Sequence, residues 1–300
     1  MNYLKFIQNP FYGLNCIKEI IAYYLYNRKR LSKLQILNSL ETLDLIKQQR
    51  LSVSRYGDGE FSVMRGRGNK FQKPDSRLQL RLREVAASKM NNHLVCMPYA
   101  LKTTKLLKEC FRRPWIYVAA HNSDMLLTLL HPKQIYGDAL ITRFYMDYAD
   151  KAICPDILEK LKALWEEQEI CIIEGEKSRI GVSNDLFAKT KSVQRILCPA
   201  EDAFSVYEKI LNRAIQIPKN KLVLVALGMT ATVLTYDLCK RGYWAIDFGH
   251  MDIEYEWYRL KATKKVAVTG KYISEVSGGK DVIDMKSIEY ERQIIDRISL

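Results

Sequence analysis

Ser54-Arg55-Tyr56-Gly57-Asp58-Gly59-Glu60 sets two carboxylates two residues apart in a glycine-rich turn, directly after an apolar, strand-like segment. In an extended backbone, side chains at i and i+2 share a face, so Asp58 and Glu60 can converge on one divalent cation, Mn²⁺ or Mg²⁺. Gly57 and Gly59 permit close approach of a ligand to the main chain, as a cation-bridged diphosphate requires. Arg55 adds a guanidinium fork suited to phosphate. The same seven residues also make an ordinary solvated turn, because Asp-Gly is a common turn dipeptide.

The rest of the chain must position these groups. Ser39 is expected to cap a helix that ends near Arg50, and Leu51 to Ser54 reads as the first strand. Helical spacing over 76–90 leads into an apolar run from His93 to Tyr99. Further strands are predicted at 114–120, 138–143, 169–174, 193–198, 221–227 and 244–248. Helices are predicted around 101–110, 121–130, 156–168, 201–214 and 230–241. Continuous apolar runs such as Leu222-Val223-Leu224-Val225-Ala226-Leu227 suit strands covered on both faces. The expected fold class is α/β: a Rossmann-like, mostly parallel sheet with helices on both faces. Residues 39–300 read as one catalytic domain with no linker that forces a second, and Gly66 to Pro74 as a mobile loop.

Ligands of such sheets bind beyond the carboxyl ends of the strands, and three more segments fall there. Glu174 to Asp185 is a polar loop expected to feed a helix: Ser178 and Arg179 offer donors, and Asn184 and Asp185 can accept from sugar hydroxyls or cap that helix. Leu227-Gly228-Met229-Thr230-Ala231-Thr232 runs from strand through glycine to helix. It lacks the GxGxxG fingerprint of dinucleotide folds, but its helix N-terminus attracts anions, and Thr230 and Thr232 add hydroxyls. Asp247 to Trp257 carries His250, Asp252, Glu254 and Glu256; extended, these share a face, and helical, His250 stacks above Glu254. Either arrangement can serve a metal or a base, and exposed glutamates can equally be a solvated surface.

Across 300 residues, 47 Lys and Arg against 34 Asp and Glu give a formal charge of +13, which attracts polyanions: nucleic acid, an anionic membrane or phosphate-bearing substrates. Nucleic acid is the weakest of these. Arg65-Gly66-Arg67-Gly68-Asn69-Lys70 is basic, but only Phe71 beside it offers a stacking platform. Seven scattered cysteines contain no CxxC pair, so they exclude a zinc-site spacing and fit a reducing cytoplasm.

Residues 1–38 form an N-terminal helical extension in this reading. The stretch 11–26 is apolar and aromatic but is interrupted by Lys18 and Glu19 and followed by Arg28-Lys29-Arg30, so it is neither a membrane span nor a secretory signal. An amphipathic helix lying on an anionic leaflet at the inner face of the cytoplasmic membrane fits it, as does a helix packed on the catalytic domain or on a second subunit.

Taken together, Arg55 to Glu60, Glu174-Gly175 with Ser178 to Gly181 and Asn184 to Phe187, Leu227 to Leu234, and Asp247 to Trp257 resemble the GT-D-type bacterial glycosyltransferases over about residues 39–280. The resemblance implies a Rossmann-like enzyme that moves a sugar from a nucleotide sugar, commonly UDP-linked, with a divalent metal at the DXE motif, here Asp58-Gly59-Glu60. Met229 stands where many relatives have proline, and Ser183 where relatives often have glycine. The implied donor contacts are Arg55, Tyr56, Gly57, Gly59, Ser178, Arg179, Asn184, Asp185, Gly228, Thr230 and Thr232. Asp58 and Glu60 are the metal contacts. Glu60, His250, Asp252 and Glu254 are the candidate bases for an acceptor hydroxyl, carried by a glycan or a lipid-linked glycan of surface polysaccharide or glycoprotein assembly. A metal-dependent phosphoesterase would use the same carboxylates without an acceptor, and a basic membrane adaptor would leave them idle.

Overall fold

The computed structural model describes residues 17–69, 71–282 and 287–300. Its frame is a nine-stranded sheet in the order β1-β4-β3-β2-β8-β7-β5-β6-β9, every ladder of which is parallel. The first half runs α1 (17–31, π-helical over Tyr23–Asn27), β1 (Gln35–Ile36), α2 (Ser39–Gln49), β2 (Ser52–Arg55), α3 (Asp58–Met64), α4 (Ser76–Ala86), β3 (His93–Met97), α5 (Glu109–Leu129) and β4 (Ile135–Asp138). The second runs α6 (Cys154–Trp165), β5 (Glu169–Gly175), β6 (Ser192–Cys198), α7 (Tyr207–Ala214), β7 (Leu222–Ala226), α8 (Met229–Lys240), β8 (Trp244–Asp247), α9 (Met251–Arg259), α10 (Ile288–Gln293) and β9 (Ile294–Arg297).

The period of two along each strand divides the core into two layers. Val223 and Val225 pack with Cys171 and Ile173 against Leu78 and Leu82 of α4 and Ala231 of α8. Leu222 and Leu224 pack on the other face with Ile170 and Ile172, against Leu43 and Ile46 of α2 and Ile157 and Leu161 of α6. Helices therefore cover both faces, which is why these strands carry no polar alternation.

Several expected elements shift. Residues 114–120 are not a strand but the middle of α5, because Ala119, Ser123 and Leu126 recur at helical spacing and are buried together. The segment 101–110 is mostly turn: a short 3-10 turn at Tyr99–Leu101 precedes α5. β4 ends at Asp138, whose carboxylate accepts from Leu140 N–H at 2.9 Å and starts a 3-10 turn over Ala139–Thr142. Asn38, not Ser39, caps α2, accepting from Glu41 N–H at 3.0 Å while Glu41 accepts from Asn38 N–H at 2.9 Å. Ser39 instead donates to Asp138 at 2.6 Å.

Residues 1–16 of the expected N-terminal extension lie outside the described residues. What is described packs on α5: Asn27 donates to Ser123 at 2.9 Å and to Asp124 at 2.8 Å, and Tyr23 and Leu31 are buried. Its other side exposes Ile17, Ile21, Tyr24, Leu25 and Tyr26. The loop read as mobile is tied down, with Asp202 N–H donating to Phe71 O at 2.8 Å and Gln72 donating to the Asp202 carboxylate.

Candidate active site

A cleft of about 580 Å³ opens beyond the carboxyl ends of β2, β4, β5, β6, β7 and β8. This is where an open α/β sheet binds its ligands. Arg55 to Glu60 reach it from β2, Ala139 and Leu140 from β4, Gly175 and Ser178 from β5, Leu227 to Met229 from β7, and Asp247, Gly249 and His250 from β8.

Arg55 is built into the floor. Its Nη2 meets Asp247 Oδ1 at 3.0 Å, its Nε donates to Asp247 O at 2.8 Å, and its Nη1 donates to Ala139 O at 2.9 Å. The fork therefore cross-ties three strand ends while lining the cleft. Burial pushes the Asp247 carboxyl up, and Arg55 pulls against it. Thr232 donates to Arg55 O at 3.0 Å and is buried in this tie, and Thr230 is fully buried in α8, so neither hydroxyl lines the cleft wall.

Asp58 and Glu60 both line the cleft, but not from an extended strand. They occupy the first turn of α3, where positions i and i+2 diverge by roughly 200° about the axis. Glu60 folds back, and its Oε2 accepts from Gly57 N–H at 2.7 Å. Burial, followed by the Asp247 charge, pushes the Glu60 carboxyl up to about 7, against the pull of its own amide, that of Gly57, and Arg55. Asp58 is exposed at the rim. Carboxylates in a first helical turn also favour the helix dipole, so both have a structural role beside any chemical one. Tyr56 lines the cleft, but its hydroxyl is spent on Leu82 O at 2.6 Å.

Gly228 sits at φ +55 and ψ −138, a region open essentially to glycine, and turns the chain from β7 into α8 at the cleft wall. Two of the opening amides of α8 are already engaged: Thr230 N–H donates to Leu227 O and Ala231 N–H to Gly228 O. Met229 closes on the DXE segment, since a Cβ on Gly59 would lie 3.2 Å from its sulfur.

No helix follows Gly175. Residues 176–189 form successive turns, which removes the expected helix-opening amides near Ser183. Ser178 lines the cleft, whereas Arg179 turns inward and donates to Gly270 O at 3.0 Å. Asn184 bridges Asp252 at 2.8 Å and Glu256 at 2.6 Å, and Asp185 accepts from Tyr255 at 2.5 Å. These two clasp the turns to α9; neither lines the cleft.

The segment after β8 is helical. His250 and Asp252 line the cleft, but Glu254 points away and accepts from Tyr145 N–H at 3.0 Å and Met146 N–H at 2.7 Å. Burial, with Asp147 adding to it and Arg143 opposing, raises the Glu254 carboxyl to about 7. Asp252 is paired with Lys271 at 2.6 Å. Glu256 shares that lysine at 3.2 Å.

Scattered single residues complete the walls: Asn69 and Phe71 from the loop after α3, Phe111 and Trp115 from α5, Arg143, and Lys265, Tyr272 and Glu275 from the segment after α9. They form no motif, so spacing could not find them. Among the described residues, no three His, Cys, Asp or Glu side chains are grouped to hold a metal on their own.

A family model described as "Glycosyltransferase GT-D fold" matches residues 53–276. The "Probable glycosyl transferase Gly" of Streptococcus gordonii is 35% identical over 269 residues, covering 89% of this chain and 39% of that protein. "Glycosyltransferase GlyD" of Streptococcus pneumoniae serotype 4 is 35% identical over 272 residues, covering 90% of this chain and 33% of that protein. The chain thus spans between a third and two fifths of the curated relatives it matches. A solved structure described as "The highly conserved domain of unknown function 1792 has a distinct glycosyltransferase fold" superposes with TM-score 0.87 at 38% identity, over 91% of this chain and 98% of that one. "A New Glycosyltransferase (DUF1792) from Streptococcus sanguinis" does so with TM-score 0.84 at 33% identity, over 88% of this chain and 99% of that one. With its motifs on the strand ends of the matching fold, the chain belongs to the GT-D-fold glycosyltransferase family.

Proposed function

We propose that the chain transfers a sugar from a UDP-linked donor to a hydroxyl of a glycan or lipid-linked glycan acceptor. The observation that carries this reading is the cleft itself, in which a carboxyl raised to about 7, Glu60, shares the strand-end walls with Asp58, Asp247 and His250. The acceptor oxygen attacks the anomeric carbon as the bond to the donor's diphosphate breaks, so a proton must leave the acceptor and negative charge must be received on the phosphates. Glu60 is suited to the first task, because a carboxyl near 7 accepts a proton at neutral pH. Gly57 N–H orients it.

A divalent cation, Mn²⁺ or Mg²⁺, fits the donor set as a substrate-completed site. Asp58, exposed at the rim, is the hard oxygen donor free for such an ion, Glu60 being turned back on Gly57 N–H in the first helical turn, and phosphate oxygens and waters would fill the remaining positions. When bound, the ion would neutralise the leaving diphosphate. Incubating the protein with UDP-sugars, with and without acceptor glycan, tests the reaction. UDP release that requires acceptor supports transfer, whereas equal release without acceptor supports a phosphoesterase.

We also infer peripheral membrane attachment through α1. Ile17, Ile21, Tyr24, Leu25 and Tyr26 are all at least 50% exposed, next to Arg28, Lys29 and Arg30. An apolar stripe beside cations is suited to an anionic leaflet. No described helix is long and apolar enough to cross a membrane.

A further inference from the structure

At the cleft wall, three nitrogen-bearing side chains from three parts of the chain converge on one carboxylate. His250 Nε2, just after β8, lies 2.9 Å from Glu275 Oε1, and Lys265 Nζ lies 2.5 Å from Oε2. Arg143, beyond β4, reaches both oxygens, with Nη1 donating to Oε2 at 3.3 Å and Nη2 to Oε1. Each oxygen of Glu275 thus receives two donors. That is how a guanidinium, an ammonium and an imidazole would hold two oxygens of a phosphate.

All four side chains line the cleft and keep between 23% and 26% of their surface exposed, so this cluster faces the ligand space and is not part of the core. The segment that carries Glu275 has no regular secondary structure over 262–281. It is anchored just before Glu275, by buried Ile273 and by Lys271 on Asp252, and Tyr272 N–H donates to Lys177 O at 3.0 Å. Glu275 can therefore leave by rotating its own side chain, with the anchors in place. Burial works against its ionisation, but the hydrogen bond from His250 and the charge of Arg143 outweigh that and hold its carboxyl far below the usual range. Buried Asp147 offsets part of the positive charge of Arg143, Lys265 and His250. Removing Glu275 still leaves two cations and one imidazole donor, against Asp147 and, near Arg143, Glu254, whose ionisation burial opposes.

We propose that Arg143, Lys265 and His250 form a subsite for a phosphate-like anionic group of a substrate, and that Glu275 occupies it until that group displaces it. This rests on the reading of the cleft as the substrate site, but not on the identity of the sugar donor. Glu275 then acts as an internal competitor, and the apparent affinity of the subsite is reduced by the fraction of time it is plugged.

Calorimetric titration with inorganic phosphate tests this on the full chain. Glu275→Gln should bind phosphate about tenfold more tightly than the native protein, because the competitor has lost its charge. Glu275→Asp, shorter by one methylene, should move the same way by less, and it carries the test if the first variant does not fold. Adding Lys265→Ala to either should abolish the gain. Unchanged or weaker phosphate binding by a folded Glu275 variant, or a gain that survives Lys265→Ala, overturns the proposal. Repeating the titration at saturating UDP identifies the source: competition assigns the subsite to the donor's diphosphate, and simultaneous binding assigns it to an anionic group on the acceptor. If UDP does not bind at all while the phosphate gain appears, the donor reading fails and the subsite stands.

Discussion

Arg55 passes directly beneath Gly249: a Cβ built on that glycine would lie 1.6 Å from Arg55 Nη2. The glycine, at φ +48, is what lets the guanidinium reach Asp247 and join the ends of β2 and β8 beneath the cleft. Gly249→Ala must therefore expel Arg55 or move the β8 turn. Expelling Arg55 strips the buried Asp247 carboxylate of its charged partner, at a cost on the order of 3–5 kcal/mol. Denaturant midpoints should show that loss, and a midpoint within experimental error of the native one would mean that the tie contributes little.

Asp58 is exposed, so Asp58→Ala should change stability by no more than about 0.5 kcal/mol while removing sugar transfer. Glu60→Gln keeps an oxygen for Gly57 N–H and should likewise stay folded, but it cannot accept a proton. Full transfer activity in either folded variant would remove that residue from the chemistry.

Glu254 gives the stability a defined pH dependence. Its folded carboxyl is raised from 4.5 to about 7 by burial, so the native state holds a proton that the unfolded chain releases. Its stabilising contribution is complete below the unfolded value of 4.5 and is lost as pH rises through the folded value of about 7. Glu254→Gln mimics the protonated form throughout. Its stability relative to the native protein should therefore improve with rising pH, by up to roughly 3 kcal/mol at about pH 8. A pH-independent difference in unfolding free energy would contradict this.

Leu25→Glu and Tyr26→Glu change only the exposed side of α1, leaving Asn27 on Ser123 and Tyr23 in the core. Both together should release the protein from anionic liposomes without lowering its melting temperature. Equal sedimentation of native and variant protein would end the membrane reading.

The sheet was legible because buried parallel strands are written as unbroken apolar runs, and Leu222 to Ala226 is read the same way in sequence and in structure. The run Trp115 to Ala120 misleads because its β-branched and aromatic residues look like a strand behind Pro114. Its helical repeat shows only when it is followed on to Leu126. Within the site, the motif segments do reach the cleft, but several of their polar members are consumed in holding it together. Asn184 and Asp185 clasp α9, Thr232 braces Arg55, and Glu254 turns to the 145–146 backbone. Capping, clasping and catalysis draw on the same residue types, so sequence cannot separate them. Arg143, Lys265 and Glu275 were illegible for the opposite reason, being isolated residues that only the fold brings together.

The most direct measurement is the thermal stability of the native protein with a panel of UDP-sugars, with and without Mn²⁺, repeated on Asp58→Ala and Glu60→Ala. A ligand held only by the folded state at about one hundred times its dissociation constant adds about 2.7 kcal/mol, which is several degrees for a chain of this size. A Mn²⁺-dependent rise with one UDP-sugar, lost in both variants, is the expected result. No rise with any nucleotide sugar in the folded native protein, or an undiminished rise in both variants, would contradict it.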